Sequence, residues 1–115
     1  MIIGIGVDII EVARVRRAIE RNPRFADRVF TATELAYAEG KKSRLQHLAA
    51  RFAAKEAFFK ALGRGTPWID VEIVNLSSGQ PQLVLHSKED LGFARSHVSI
   101  SHLAEYALAV VILEK

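Results

Sequence analysis

Asp8 and Glu56 are two carboxylates that stand where the surrounding sequence pattern favours apolar side chains. Asp8 ends a run of isoleucine and valine, and Glu56 lies within a long segment of helical periodicity. An ionised carboxylate removed from water needs a cation, several hydrogen-bond donors or a metal as a partner. Mg²⁺ in proteins is commonly held by one or two carboxylates, with substrate phosphate oxygens and waters filling its other positions. The pair therefore indicates a magnesium site that serves a phosphate-bearing substrate.

Lys60 and His102 could complete such a site, as a basic group and a titratable imidazole. Each candidate also has an ordinary structural explanation. Asp8 could cap a following helix, Glu56 could pair with Lys60 at i,i+4, and His102 could be a hydrogen-bonded turn residue. Taken singly, the structural explanation is the better one for Asp8 and His102, and the two explanations are even for Glu56.

The segment from Ser43 to Gly63 predicts the longest helix of the chain and carries Glu56. At 100° per residue, several apolar side chains lie within about 80° of Phe52 and form a stripe that we expect to face the core. Glu56 and Lys55 fall within this stripe, so Glu56 needs a partner there. Lys55 could extend its ammonium out of the stripe into water.

The residues before Asp8 predict a buried strand over Met1–Val7. Gly4, Gly6 and Asp8 share one face of this strand under the period-2 rule. Two glycines on one face allow another backbone or a ligand to approach closely.

The remaining pattern predicts an α+β fold, because the strands cluster late in the chain and pair locally. The last strand is apolar on both faces, so we expect it to be central and buried. Capping-box spacing marks three helix starts, at Thr31-Ala-Thr-Glu34, Ser43-Arg-Leu-Gln46 and Ser87-Lys-Glu-Asp90. Another helix is expected from about Glu11 to the break at Asn22-Pro23. The predicted later strands are Asp70–Leu76 and Gln82–His86, joined as a hairpin, then Val98–Ser101 and Tyr106–Leu113.

Composition limits the class of protein. A chain of 115 residues that is 50% hydrophobic fits one compact domain, residues 1–115. It contains no cysteine, which excludes disulfides, thiol nucleophiles and zinc–thiolate sites and favours a reducing, cytoplasmic setting. No apolar run approaches the roughly 20 residues that span a bilayer, so we expect no membrane association. The phosphate loop GxxxxGK[ST] and a nucleophile elbow are absent.

The net charge of +3 is concentrated in one segment between Glu11 and Phe30. A local basic field of this kind attracts an anionic partner and speeds its encounter with the protein. Taken by itself, however, the segment is better explained as a solvated, arginine-rich helix face than as a binding surface for an anionic partner. Its basic residues are Arg14, Arg16, Arg17, Arg21, Arg24 and Arg28.

Three segments of the chain, in order, resemble the signatures of a known enzyme family. They are Gly6-Val-Asp-Ile-Ile-Glu11, Arg51-Phe-Ala-Ala-Lys-Glu-Ala57 leading to Lys60, and Val98-Ser-Ile-Ser-His102 with Tyr106-Ala107. The family is bacterial holo-(acyl-carrier-protein) synthase, the small type of 4′-phosphopantetheinyl transferase. The chain departs from it at Gly63-Arg-Gly65, where Arg64 replaces a usual threonine, and at Leu103, where a polar residue is common.

The resemblance implies a fold in which a small antiparallel sheet packs against a long central helix. It implies that the enzyme transfers the 4′-phosphopantetheine group of coenzyme A to a serine of apo acyl carrier protein and releases adenosine 3′,5′-bisphosphate. It also implies Mg²⁺ on Asp8 and Glu56, and a homotrimer with active sites between protomers. Glu56, Lys60 and His102 are then catalytic, and coenzyme A contacts Arg51, Lys60, Gly63 and His102. The acidic carrier protein docks on Arg14, Arg24, Phe25 and Arg28.

Two other functions use the same residues. A small hydrolase of phosphoanhydrides would use water instead of the carrier serine as the nucleophile, and it would not need the basic segment. A nucleic-acid-binding module would use the arginines, but aromatic residues are 8% of the chain and do not interleave with them as a stacking platform would. We therefore expect no nucleic acid partner.

Overall fold

The computed structural model describes residues 1–115 and has an α+β fold, as expected. Four α-helices lie between the first strand and the later ones, and a short 3₁₀ turn at Trp68–Asp70 precedes β2. The elements are β1 (Ile2–Glu11), α1 (Val12–Arg21), α2 (Phe25–Val29), α3 (Ala32–Glu39), α4 (Arg44–Leu62), β2 (Val71–Asn75), β3 (Pro81–Leu85), β4 (Arg95–His102) and β5 (Tyr106–Glu114).

An antiparallel three-stranded sheet in the order β1-β5-β4 packs against α4, and β2 and β3 form a separate hairpin. The predicted central position of the last strand is confirmed, but its predicted burial on both faces is wrong. Residues at alternate positions of β5, including Ala107, Val111 and Leu113, are fully buried beneath α4. The others stay exposed or half-buried, so the strand alternates after all.

Gly4 and Gly6 are the reason that α4 can lie directly on β1. A Cβ atom at Gly4 would clash with the backbone carbonyl of Ala61, and one at Gly6 would clash with that of Ala57. As predicted, another backbone approaches these two glycines closely, and it is the backbone of helix α4. The next residue on this face of β1 is Asp8, which the same packing brings to α4.

The predicted burial of β1 is wrong for its other face. Ile5, Val7 and Ile9 are 63%, 51% and 63% exposed. Their partners across the β1–β5 ladder are Ile112, Val110 and Leu108, which point to the same side of the sheet. These six residues form an apolar surface, called here the outer sheet face, that the single chain leaves uncovered.

Helix α4 is buried on more sides than the stripe around Phe52 predicted. Leu48 and Ala49 of that stripe are fully buried, as expected. The alanines on the opposite side of the helix are also fully buried, and they allow α4 to lie close to the sheet. Phe52 and Glu56 are only half-buried, and this part of the predicted stripe lines an open cleft.

The three predicted capping boxes have different outcomes. Thr31 and Glu34 form both reciprocal hydrogen bonds at the start of α3. Ser43 makes no side-chain cap at the start of α4. The helix predicted from Ser87 does not form. There the Ser87 hydroxyl and the Asp90 carboxylate accept from backbone amides two residues ahead, which stabilises turns instead.

The end of β1 also differs from prediction, because the strand continues through Asp8 to Glu11. Asp8 therefore does not cap α1, whose N-cap is Glu11 and has no side-chain hydrogen bond. Helix α1 ends at Arg21, at the predicted break. No helix in the chain has the length and apolar character that crossing a bilayer requires.

Candidate active site

Asp8 and Glu56 face one cavity of about 400 Å³. Strand β1 supplies Asp8, because the strand has no bend there and its inward face continues from Gly6. Helix α4 supplies Glu56 from its half-buried side. Arg14 of α1 and Phe25 of α2 line the same cavity. The structure thus brings the predicted metal pair together and places two of the predicted partner-binding residues beside it.

Lys60, one turn after Glu56, joins this group through Asp8. Its Nζ donates to the backbone carbonyl of Val7 at 3.0 Å and to Oδ1 of Asp8 at 3.2 Å. Lys60 forms its ion pair with Asp8. The alternative pairing of Lys60 with Glu56, at i,i+4 on the helix, does not form. The ammonium is half-exposed and is available to a ligand that enters the cavity.

The carboxylate of Glu56 is held in an environment that disfavours its charge. Burial raises the pKa of Glu56 above its ordinary value, the nearby Asp8 carboxylate raises it further, and Lys60 offsets part of the shift. A divalent cation between two such oxygens would relieve both their mutual repulsion and the loss of water. The donor set of two hard carboxylates with an open cavity fits Mg²⁺.

Two aromatic side chains, Phe25 and Phe52, line the cavity next to Glu56. The ring centroid of Phe52 lies 6.2 Å from that of Phe25 and 5.0 Å from that of Trp68, which is stacked on it. Trp68 in turn meets Phe59 edge-on at 5.0 Å. We did not predict Phe52 as a site residue, because aromatic residues at helical spacing are typical of a core.

Arg51 and His102 do not join Asp8, Glu56 and Lys60. Arg51 and Glu56 are five positions apart on the helix, so their side chains point about 140° away from each other around its axis. Arg51 donates to Oδ1 of Asn75 at 2.6 Å, and His102 Nδ1 lies 3.1 Å from the amide oxygen of Gln46. Both line a second cavity of about 180 Å³ on another side of the molecule.

The basic groups of the second cavity are one guanidinium, that of Arg51, and the imidazoles of His47 and His102. The Arg51 guanidinium lies 4.3 Å from the ring centroid of Tyr37 and leaves its buried Nε without a partner. The ring of His47 lies between those of Tyr37 and His102, at 5.5 and 5.3 Å. Burial lowers the pKa of His47, and the positive charges of His102, Arg51 and Lys41 add to this effect. His47 and Tyr37 carried no distinctive sequence signal and were not predicted.

The other predicted residues lie around the first cavity. Gly63 ends α4 one turn after Lys60, in the left-handed conformation (φ 85°) that glycine adopts easily. Arg24 precedes α2 and Arg28 lies in its last turn, both exposed. Arg64, which departs from the family pattern, pairs with Glu89 at 2.9 Å.

Comparison with known proteins decides the family. The family model described as the 4′-phosphopantetheinyl transferase superfamily matches residues 4–111. The chain is 46% identical to the holo-[acyl-carrier-protein] synthase of Geobacter sulfurreducens, with 100% of the chain and 99% of that protein covered. It is 47% identical to that of Streptomyces griseus, with 99% of each covered. The chain belongs to the 4′-phosphopantetheinyl transferase superfamily, as an enzyme of the holo-(acyl-carrier-protein) synthase type.

Solved structures of this family share the fold throughout. The synthase of Bacillus anthracis, in complex with CoA (3′,5′-ADP), has a TM-score of 0.84 at 40% identity, with 100% of this chain and 98% of that chain covered. That of Neisseria meningitidis has a TM-score of 0.88 at 32% identity over the whole of both chains. The predicted fold, a small antiparallel sheet on a long central helix, is thus confirmed.

A buried ion pair beside the active site corrects one prediction about this transferase. Lys55 does not reach water: its side chain and that of Glu34 are both fully buried, with Nζ 2.7 Å from Oε1. Burial lowers the pKa of Lys55, and the Glu34 carboxylate offsets part of that shift. The ammonium is held inside because acceptors surround it there.

Proposed function

We propose that this transferase moves the 4′-phosphopantetheine group of coenzyme A to a serine hydroxyl of apo acyl carrier protein. The reaction depends on Mg²⁺ and releases adenosine 3′,5′-bisphosphate. The observation that carries the proposal is the convergence of Asp8, which pairs with Lys60, and Glu56 on one cavity bordered by the basic helices α1 and α2. The relatives from Bacillus anthracis and Helicobacter pylori, solved in complex with CoA (3′,5′-ADP) and with coenzyme A, support the choice of donor.

Asp8 and Glu56 would hold the metal, whose charge would offset that of the diphosphate when bound. Glu56 takes the proton of the carrier serine, directly or through a water. The serine oxygen bonds to the phosphorus that carries the pantetheine arm, and the bond from that phosphorus to the bisphosphate breaks. Lys60 stabilises or protonates the departing phosphate oxygen. His102 would act from the partner protomer described below.

The carrier protein docks on the basic surface of α1 and α2. Arg14 and Phe25 line the cavity itself, and Arg24 and Arg28 extend the positive surface outward along α2. An acidic carrier is attracted by this field, which also orients its serine toward Glu56. Phe25 provides an apolar contact at the edge of the cavity.

A homotrimer completes the active site. The outer sheet face is a contiguous apolar surface on one side of the sheet, of the kind that marks a protein interface. The single chain also divides the predicted coenzyme A residues between two cavities, with Lys60 near one and Arg51 and His102 in the other. Association places the basic second cavity of one protomer against the carboxylate site of its neighbour. Arg51 and His102 then contact coenzyme A phosphates bound beside the neighbour's Glu56.

Mass spectrometry of apo acyl carrier protein tests this proposal. After incubation with coenzyme A, Mg²⁺ and the enzyme, the carrier should gain one phosphopantetheine group, and a chelator should abolish the gain. Glu56→Gln should lower transfer by at least about a hundredfold, as the loss of a proton acceptor does. Glu39→Gln, an exposed control at the end of α3, should not. Bisphosphate release without any carrier would instead indicate a hydrolase.

A further inference from the structure

Lys55 uses all three of its hydrogen-bond donors inside the protein. Its Nζ lies 2.6 Å from the carbonyl oxygen of Val29, 2.7 Å from Oε1 of Glu34 and 3.2 Å from the carbonyl oxygen of Trp68. An ammonium has three donors, so none is left over. Because the charge is both paired and fully bonded, its burial is tolerated.

Glu34 is equally well satisfied, which makes the network rigid. Its Oε1 also accepts from the backbone amide of Thr31 at 2.8 Å, and its Oε2 accepts from the amide of Ile73 at 2.8 Å. Lys55 and Glu34 together therefore connect α4 to the ends of α2 and α3, to β2 and to the Trp68 turn. A complete buried network of this kind specifies one arrangement of the segments that it joins.

Helix α2 depends on such an external connection. It has only five residues, Phe25–Val29, and so short a helix is unstable in water by itself. Its last carbonyl is the one that accepts from Lys55, and the next residue, Phe30, places its ring 5.7 Å from the Lys55 ammonium. A further contact between this segment and α4 is that of Phe25 with Phe52.

Neighbouring positions of α4 thus have complementary roles. Glu56 points into the active-site cavity, while Lys55, about 100° away around the helix, holds the end of α2. A single turn of α4 thereby sets the distance between the carboxylate and the segment that carries Arg24, Phe25 and Arg28.

We propose that Lys55 is a positioning residue that fixes α2 against α4, so that the carrier protein docks with its serine next to Glu56. The inference rests on the proposed carrier docking at α2. Lys55 contacts neither substrate, because its side chain is fully buried. Its replacement should therefore weaken carrier recognition far more than coenzyme A recognition.

The test compares Lys55→Met with the wild type in the full-length enzyme. Loss of hydrogen bonds made by a charged group typically changes an equilibrium by about tenfold or more. We expect the KM for apo carrier protein to rise about tenfold or more, with the KM for coenzyme A within about twofold of the wild-type value. Lys55→Arg keeps the charge beside Glu34 but changes the donor geometry, and it should shift the same KM in the same direction by less.

Two physical measurements check the arrangement itself. The chain has one tryptophan, Trp68, which stacks on Phe52 and whose carbonyl oxygen accepts a hydrogen bond from Lys55. Its fluorescence should shift to the red in Lys55→Met, and amide hydrogen exchange over residues 25–30 should accelerate. Leu113→Ala in β5 is a control, because it destabilises the core far from α2. It should lower the melting temperature without producing these two changes.

Several outcomes would overturn the inference. A fall in kcat with both KM values unchanged in Lys55→Met would do so. A selective rise of the KM for carrier protein in Leu113→Ala would also do so. If Lys55→Met does not fold, Lys55→Arg decides, and unaltered carrier KM and exchange over residues 25–30 in that variant reject the role. Failure of the wild-type enzyme to modify carrier protein would reject the proposed function instead, while fluorescence and exchange would still report on α2.

Discussion

At the scale of single residues, the site is a compromise between function and stability. Glu56 keeps a carboxylate where burial and Asp8 both oppose its charge. Such a group destabilises the free protein and becomes favourable once a cation is bound. Lys55, one position earlier, shows the opposite case of a buried charge with every donor satisfied.

Glu56→Gln should therefore make the metal-free protein more stable while it removes activity. A carboxyl group with a raised pKa in the folded state binds its proton more tightly there than in the unfolded chain. Stability therefore falls as the pH rises from the unfolded pKa, 4.5, through the higher folded value. The glutamine variant lacks this loss, so its free energy of unfolding should exceed that of the wild type at pH 7.

Urea unfolding with chelator present, at pH 7 and at pH 4, measures this difference. The advantage of the variant should be present at pH 7 and much smaller at pH 4, where the wild-type carboxyl is mostly protonated in both states. Glu39→Gln, which changes an exposed carboxylate, serves as the control. A glutamine variant less stable than the wild type at pH 7 would contradict the assignment of Glu56 as a strained group.

Magnesium should stabilise the wild-type enzyme through the same two carboxylates. A ligand that binds only the folded state at ten times its Kd adds about 1.4 kcal/mol to the free energy of unfolding. The melting temperature should therefore rise with Mg²⁺ in the wild type and stay constant in Asp8→Asn and Glu56→Gln. An equal rise in all three proteins would place the metal elsewhere.

How far the site could be predicted differs from residue to residue. The pattern of the long helix indicated Glu56, because it is a charged residue among apolar ones. Asp8 by itself was better explained as a helix cap, and only the family resemblance indicated that it is a metal ligand. Lys55 fell in the same pattern, but its partners come from α2, α3 and the Trp68 turn, so no local rule could show that it points inward. Trp68 and His47 depend on the same kind of long-range packing.

At the scale of elements, the fit of α4 onto β1 positions the carboxylates. The helix presents alanines and the strand presents glycines, so their backbones approach closely. Asp8 follows Gly6 on that face of the strand, and Glu56 precedes Ala57 on the helix. The packing that stabilises the core therefore also sets the relation between the two proposed metal ligands.

Gly6→Ala should disrupt this packing. Its added methyl group would meet the backbone carbonyl of Ala57, which cannot rotate away as a side chain does. Overpacking of a tight core typically costs about 1–3 kcal/mol, and we expect the upper end of that range. Chemical denaturation should show the loss, and transfer activity should fall with it because Asp8 is displaced.

Gly65→Ala is the matched control for that substitution. No atom lies within 4 Å of a Cβ built at Gly65, and the residue has no positive φ. Its stability should stay within about 0.5 kcal/mol of the wild type. If Gly6→Ala were as stable as Gly65→Ala, β1 and α4 would not be in direct backbone contact.

The elements themselves were predictable where a local signal acts alone. The glycine contact, the Thr31 capping box and the α+β order of elements all followed from the sequence pattern. The helix expected from Ser87 failed because the same side chains that cap helices also stabilise turns, and Asp90 does so ahead of Gly92. The exposed side of β1 could not be recognised, because an uncovered apolar face has the composition of a buried one.

At the scale of the whole molecule, the chain has an uncovered apolar surface and two separate cavities, which the proposed function assigns to one shared site. Ile5, Val7 and Ile9 of the outer sheet face are exposed, and this face of β1 has no charged residue among them. The carboxylates and the basic second cavity lie on different sides of α4. The proposed trimer, a closed ring of identical chains, would cover the apolar surface. It would also join the two cavities, because each protomer would offer its carboxylates to one neighbour and its basic second cavity to the other.

Complementation between two inactive variants tests that arrangement. In the proposed trimer, each active site takes Glu56 from one protomer and Arg51 from the next, so Glu56→Gln and Arg51→Ala impair different halves. Trimers mixed at equal ratio should contain wild-type sites at about one interface in four, and transfer activity should recover to about that fraction. The subunits are unfolded together and refolded before the assay, so that they exchange.

Glu56→Gln mixed with Asp8→Asn is the control. Both changes lie in the same half of the site, so every mixed site keeps a defect and transfer activity should stay low. Recovery in that control, or none in the first mixture despite proven exchange of subunits, would show that each site belongs to a single chain.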